Sequence, residues 1–158
     1  GNGRSLITTP VSRDTRTPMT VADLMREDVV TTTPDVPINE VATTMRDEVV
    51  GSVVVVEDSA PVGLVTDRDL AVRIVADRLD AGRMTAGDVM TGEPVTVEAD
   101  AGVMELSETM CRESVRRMPV VDDDGDLVGI VTLDDLGVLL TAELGNLAGV
   151  VEAESPPY

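Results

Sequence analysis

Apolar residues follow two recurring spacings along the chain, and each spacing occurs twice. Segments rich in Val, Leu, Ile and Met at 53–56 with 62–65, and at 118–121 with 127–131, predict paired strands joined by an acidic turn and covered on both faces. Before each pair, apolar residues three and four apart predict an amphipathic helix. The apolar positions of these helices are Ile38, Val41, Ala42, Met45 and Val49, then Val103, Leu106 and Met110.

Shorter elements surround each strand pair. A threonine followed three residues later by an aspartate is a capping box, so Thr20 and Thr85 each open a short helix. Short strands are expected at 29–32 and 95–97. A last helix follows each strand pair. Its apolar positions are Leu70, Ile74 and Val75 in the first copy, and Leu136, Leu139 and Leu140 in the second.

The whole series repeats. G-L-V-T-D-R-D-L at 63–70 returns as G-I-V-T-L-D-D-L at 129–136, and T-V-A-D-L-M at 20–25 returns as T-A-G-D-V-M at 85–90. Each unit has the order β-α-β-β-α, which is an α+β arrangement. Since a unit of roughly 60 residues buries little apolar surface alone, two such motifs are expected to pack about a pseudo-twofold axis.

The repeat implies a division of the chain. Residues 19–79 form the first motif and residues 80–142 the second. Residues 1–18 are interpreted as a flexible leader or an arm added for expression, with Met19 as the candidate native start. The acidic tail, 143–158, is expected to extend the last helix briefly and then become disordered.

Composition narrows the function classes. The formal net charge of −18 repels nucleic-acid phosphates and anionic lipid, so neither is an expected partner. The chain lacks His and Lys, which removes the commonest general base and leaves little for an enzyme mechanism. The single cysteine, Cys111, indicates a reducing compartment, hence the cytoplasm, and is either an inert helix residue or a redox sensor.

Two acidic motifs carry candidate chemistry. Each T-x-x-D, at Thr66–Asp69 and Thr132–Asp135, is either a capping box alone or a capping box that also contacts a ligand. The run Asp122-Asp123-Asp124-Gly125-Asp126 is a hairpin turn or the opening of a calcium loop. An EF-hand loop that starts at Asp122 needs a bidentate Glu at its twelfth position, residue 133, which is a leucine here. The missing ligand favours the hairpin turn over a calcium loop.

The two G-h-V-T-x-x-D-L copies, together with V-R-R-M-P-V-V-D at 115–122, resemble a tandem pair of CBS domains, a Bateman module, over residues 19–140. The resemblance implies adenosyl ligands (AMP, ADP, ATP or S-adenosylmethionine) in clefts between the motifs. It places the aspartate on the ribose hydroxyls and the threonine on ribose or phosphate. A carboxylate suits this role because it accepts two hydrogen bonds from a vicinal diol.

In the family, each T-x-x-D faces the early strand and the pre-proline strand of the other motif. The first cleft would contain Thr66, Arg68, Asp69, Pro94, Val95, Val115, Arg116 and Arg117. The second would contain Thr132, Asp135, Val29, Val30, Val50 and Gly51. The first is expected to bind a nucleotide better, because arginine binds phosphate through a planar fork, whereas the second has Gly51-Ser52 and the extra acid Asp134. Alternatively, the arginines are solvated surface charges.

The sequence therefore predicts a non-catalytic, energy-sensing regulatory module that binds AMP, ADP or ATP, needs no cofactor and signals to a separate protein. A homodimer arranged as a four-motif disc is expected from the same resemblance. The alternatives are a structural dimerisation module with empty or degenerate clefts, and S-adenosylmethionine binding.

Overall fold

The structure, a computed structural model, describes residues 19–154, with side chains to residue 150. The first motif contains, in chain order, helix α1 (Val21–Leu24), strand β1 (Thr31–Thr32), helix α2 (Ile38–Glu48), strands β2 (Ser52–Glu57) and β3 (Ala60–Thr66), and helix α3 (Asp67–Asp69), which continues as π-helical turns over Leu70–Ala76. A 3₁₀ turn, Ala81–Arg83, leads into the second motif.

The second motif repeats this order. It contains helix α4 (Ala86–Val89), strands β4 (Thr91–Gly92) and β5 (Val97–Glu98), helix α5 (Val103–Glu113), strands β6 (Arg117–Val121) and β7 (Leu127–Thr132), and helix α6 (Leu133–Glu154). The predicted α+β class and the β-α-β-β-α order are confirmed. Within residues 19–154, no helix is both long and apolar enough to cross a bilayer.

Each motif builds one sheet around its strand pair. In the first sheet, β1 runs parallel to β2, β2 is antiparallel to β3, and β3 is antiparallel to β4. In the second, β5 runs parallel to β6 and β6 is antiparallel to β7. Strand β4 precedes the second motif's own sheet in the chain and yet pairs with the first sheet. Its counterpart, Arg26 of the first motif, forms a bridge with Ile130 of the second sheet, so the exchange is reciprocal.

The first helix of each motif packs into the core of the other. The N–H groups of Val21 and Ala22 donate to the carbonyls of Ala101 and Ala99, both at 2.9 Å. In the same way, the N–H groups of the equivalent residues, Ala86 and Gly87, donate to the carbonyls of Val36 and Pro34 at 2.8 and 2.9 Å. These contacts relate the motifs by the expected pseudo-twofold axis.

Two buried clusters result, and both are aliphatic. The first contains Ile38, Val41, Met45, Val53, Val55, Val65, Ile74, Ala86 and Val89. The second contains Val21, Val97, Ala101, Leu106, Met110, Met118, Val120 and Val131. Ala86 and Val89 come from α4, and Val21 comes from α1, so neither cluster is complete without the other motif.

Some details of the predicted elements are wrong. Val49 is not on the apolar face of α2: the helix ends at Glu48, and Val49 caps it with φ 56° and a side chain that is 88% exposed. Val75 and Leu140 are also exposed. The early strands β1 and β5 are shorter than expected. In each of them, only two residues form ladder contacts with a neighbouring strand.

The tail differs from the expectation as well. Helix α6 continues to Glu154, well beyond a brief extension. The predicted flexible leader at 1–18 and the disorder expected at the very end of the chain lie outside the described residues.

The glycine that begins each G-h-V-T-x-x-D-L copy allows a close contact between the motifs. A Cβ built at Gly129 would lie 2.6 Å from Met25 Sδ and 3.0 Å from the carbonyl oxygen of Arg26. A Cβ at Gly63 would collide in the same way with the side chain of Met90. The absence of a side chain here therefore lets the end of each first helix lie directly on the other motif's sheet.

We predict that Gly129→Ala lowers the free energy of unfolding by about 1–3 kcal/mol, because the backbone carbonyl of Arg26 must move to admit the methyl group. Urea denaturation followed by circular dichroism measures the change. Gly92→Ala is the control, since a Cβ there meets nothing within 4 Å. Equal stability of the two variants would contradict the prediction.

Candidate ligand-binding clefts

Both T-x-x-D turns form complete capping boxes. The Thr66 N–H donates to Asp69 Oδ2 at 2.9 Å, and the Asp69 N–H donates to Thr66 Oγ1 at 3.1 Å. The equivalent distances at Thr132 and Asp135 are 3.0 and 3.2 Å. The capping role is confirmed, and it occupies one carboxylate oxygen of each aspartate. The other oxygen, Oδ1, is the atom left for a ligand.

The two Oδ1 atoms have different neighbours. Asp135 Oδ1 accepts a hydrogen bond from Arg26 Nη2 at 3.3 Å. Asp69 Oδ1 lies 4.0 Å from Arg73 Nε, and Arg73 instead donates through Nη1 to the Val89 carbonyl at 2.9 Å. The second oxygen of Asp69 is therefore the more available for a ribose diol.

The first cleft is a cavity of about 340 Å³, within the usual range for small-molecule pockets. Its lining residues are Leu64, Thr66, Asp67, Arg68, Thr91, Glu93, Pro94, Val95, Val115, Arg116, Arg117 and Pro119. Seven of the eight residues predicted for this cleft are in that set. Asp69 is absent from it, because its carboxylate is turned towards the start of α3.

The second cleft is larger, about 570 Å³, and more acidic. Its lining residues are Arg26, Asp28, Val29, Val30, Glu48, Val49, Val50, Gly51, Ser52, Arg116, Arg117, Ile130, Thr132, Leu133 and Asp134. Five of the six residues predicted for it line the cavity, and Asp135, which is bonded to Arg26, does not.

The second cleft is lined by Gly51 and Ser52, as expected, and it also contains arginines that the sequence did not indicate. Arg116 and Arg117 line this cavity as well as the first. Gly51 leaves space that a longer residue would fill, and Arg117 Nη1 lies 3.7 Å from the point where a Gly51 Cβ would stand. Arg26 was also missed, although the repeat gives a signal: it aligns with Thr91, which lines the first cleft.

The arginines of the first cleft form no close ion pairs within the described part of the chain. Among the described side chains, Arg68, Arg116 and Arg117 have no carboxylate oxygen within 4.0 Å. Most other described arginines do form such pairs, including Arg46–Asp47, Arg83–Asp80 and Arg112–Glu113. The lining of the first cavity therefore holds three guanidinium groups and two carboxylates, those of Asp67 and Glu93. This is a small excess of positive charge in a chain with 30 acidic residues.

The remaining motifs stay outside the clefts. Asp122 Oδ1 accepts hydrogen bonds from the N–H groups of Asp124 and Asp126, both at 3.0 Å, which confirms the hairpin turn between β6 and β7. Carboxylate oxygens of these three residues lie within 4.8 Å of one another on the surface. Cys111 lies on α5 and is exposed.

Comparison with known proteins assigns the family. The family model of the CBS domain matches residues 21–76 and again residues 86–137. The chain therefore belongs to the CBS domain family, as a tandem pair of CBS domains.

Relatives and solved structures cover most of the chain. An uncharacterised protein of Methanopyrus kandleri is 39% identical over 119 residues, which are 75% of this chain and 61% of that protein, so the chain spans about three fifths of that relative's length. The CBS domain protein PAE2072 from Pyrobaculum aerophilum, complexed with AMP, is 31% identical with a TM-score of 0.69, covering 78% of this chain and 97% of that one.

A second solved structure holds different adenosyl ligands. The CBS domain pair of protein MJ0100, in complex with 5′-methylthioadenosine and S-adenosyl-L-methionine, is 26% identical with a TM-score of 0.69. The similarity covers 77% of this chain and 99% of that one. The fold is thus shared with CBS domain pairs that hold adenosine derivatives with and without phosphate.

Proposed function

We propose that this chain is a non-catalytic regulatory module that binds an adenine nucleotide of the AMP, ADP or ATP class between its two motifs and signals to a separate protein. The observation that carries the proposal is the group of three arginines without acid partners at the first cleft. The AMP complex of a protein with the same fold supports it.

The lining of the first cleft fits the parts of a nucleotide. Apolar side chains of Leu64, Val95 and Val115 can enclose the adenine ring, whose edge would then bond to backbone groups. The diol would reach Asp69 Oδ1 beside Thr66. The phosphate would lie on the guanidinium groups, because charge-assisted bonds from arginine to phosphate are strong and often bidentate.

We further propose that the first cleft binds the nucleotide more tightly than the second. In the second cleft, Arg26 occupies the free oxygen of Asp135, so a ribose must displace an ion pair. The second cavity is also lined by three acids, Asp28, Glu48 and Asp134, whereas the first is lined by two, Asp67 and Glu93. Phosphate is therefore repelled more strongly from the second cleft.

Thermal melting with AMP, ADP, ATP, S-adenosylmethionine and GTP tests the ligand class. We expect a selective rise for the adenine nucleotides of about 5 °C or more at a hundredfold excess over Kd, because a ligand that binds only the folded state stabilises it by mass action. S-adenosylmethionine as the only stabilising ligand would favour that alternative. No shift with any of the five at millimolar concentration would contradict nucleotide binding and favour a purely structural module.

A matched set of aspartate variants tests the ranking of the clefts. Asp69→Ala is expected to weaken AMP binding about tenfold or more in titration calorimetry, because a charged acceptor of the ribose diol is lost. Asp135→Ala loses the same capping box at the second cleft and should leave the tighter AMP site intact. Asp88→Ala removes the capping box of α4, outside both clefts, and controls for stability. The ranking fails if Asp135→Ala abolishes binding and Asp69→Ala does not.

The exposed apolar surface of α6 supports a homodimer, under either the regulatory or the structural interpretation. Leu140, Leu144 and Leu147 are each about 60% exposed. Glu143 is the only ionisable residue between 136 and 150. A second copy of a chain with charge −18 can approach most easily where charge is absent, so we propose that two α6 helices meet along this surface.

Sedimentation equilibrium is expected to give twice the monomer mass for the unaltered chain, and a mass shifted towards the monomer for Leu144→Glu, because a buried carboxylate costs more than the apolar contact gains. Thr43→Glu adds the same charge to an exposed polar position on α2 and should leave the dimer unchanged. A monomeric unaltered chain, or a Leu144→Glu dimer of unchanged affinity, would refute this interface.

A further inference from the structure

Arg116 and Arg117 form a partition between the two clefts. Both residues line the first cavity and the second. Their neighbour Val115 lines the first cavity and is absent from the lining of the second, whereas Gly51 and Ser52 line the second and are absent from the first. The partition is therefore built from the second motif, although the repeat places an equivalent segment in each.

The cause is a difference in side-chain volume between equivalent positions on the two sides of the pseudo-twofold axis. The equivalents of Arg116 and Arg117 in the first motif are Gly51 and Ser52. Arg117 reaches across the axis until its Nη1 atom lies 3.7 Å from the position of a Gly51 Cβ. A residue longer than glycine at position 51 would compete for this space.

The backbone of the partition is hydrogen-bonded to the segment that begins α6, whereas its side chains extend towards the cavities. The Leu133 N–H at the start of α6 donates to the Arg116 carbonyl at 2.7 Å. Arg117 pairs with Thr132 across β6 and β7. Arg116 is exposed and Arg117 is half-buried, which leaves both guanidinium groups able to turn towards either cavity.

The second cleft depends on these two side chains for available positive charge. Its third arginine, Arg26, is bonded to Asp135. The first cleft has Arg68 in addition to the shared pair. Two phosphate-bearing ligands would thus use one pair of cations, and a phosphate monoester carries about −1.5 to −2 charges at pH 7.

We infer that the two clefts are negatively coupled through Arg116 and Arg117: a phosphate in the first cleft draws both guanidinium groups to itself and weakens phosphate binding in the second. This inference rests on the proposed nucleotide binding and describes its regulation. By linkage, the weakening is equal in both directions. An adenosine derivative without phosphate does not use the pair, so it binds the two clefts independently.

The first experiment closes one cleft and measures the other. Thr91→Trp places a large ring at the exposed edge of the first cavity, since Thr91 lines that cavity and not the second. Amide resonances of Val95, which lines only the first of the two cavities, and of Val30, which lines only the second, report the two clefts separately during titration with AMP. We expect AMP to bind the second cleft about fivefold or more tightly in Thr91→Trp than in the unaltered chain. Adenosine should bind there with unchanged affinity.

The second experiment gives each cleft its own arginine. The backbone at residue 51 accepts a side chain, because a Cβ there would meet its nearest atoms, Asp67 Oδ2 and Arg117 Nη1, at 3.4 and 3.7 Å. Gly51→Arg then adds a guanidinium group beside the second cavity. In the Gly51→Arg background, Thr91→Trp should no longer change the AMP affinity of the second cleft. Gly51→Ala, which adds volume without charge, should preserve the coupling.

The outcomes separate this inference from the proposed function. Binding of AMP with the same second-cleft affinity in the unaltered chain and in Thr91→Trp overturns the coupling alone. A Thr91→Trp effect that persists undiminished with Gly51→Arg, or that is equally large for adenosine, shows that the shared arginines do not carry it. An unaltered chain that binds neither AMP nor adenosine overturns the proposed function, and the coupling with it.

Discussion

Reciprocal packing of the first helices is the contact on which the rest of the molecule depends. Val21 of α1 completes the second cluster, and Ala86 and Val89 of α4 complete the first. A motif of this size has too little interior to be stable alone. Each core is therefore completed by apolar side chains from the other motif. The same exchange brings the T-x-x-D turn of each motif against the early segment of its neighbour, and the two clefts exist only because of it.

The T-x-x-D turns show how one short motif serves folding and leaves capacity for binding. The threonine hydroxyl and one carboxylate oxygen satisfy backbone N–H groups at the start of a helix. These bonds also hold the remaining carboxylate oxygen in a fixed direction. Neighbouring arginines then decide whether this oxygen, Oδ1, can accept a bond from a ligand. Arg26 is bonded to Oδ1 of Asp135, whereas the nearest guanidinium nitrogen of Arg73 lies 4.0 Å from Oδ1 of Asp69.

Charge determines where an anionic ligand can bind. With a net charge of −18, most of the surface repels phosphate, and four of the nine arginines in the described part of the chain pair with an acid within four residues. Arg116 and Arg117 are exceptions, and they lie where the two motifs meet. The two clefts are therefore not equivalent in charge: Gly51 and Ser52 stand where the second motif has Arg116 and Arg117, and this one arginine pair lines both cavities.

The sequence by itself determined the family, the repeated β-α-β-β-α order, the aliphatic strands and the capping boxes, because these depend on spacings within a few residues. Of the fourteen residues that the sequence placed in the clefts, twelve line the two cavities. Only the tertiary structure decided that Arg26 holds Asp135 and that the arginine pair reaches both clefts. Each of these depends on the direction of a long side chain across the pseudo-twofold axis, between residues far apart in the chain, and no local pattern encodes that direction.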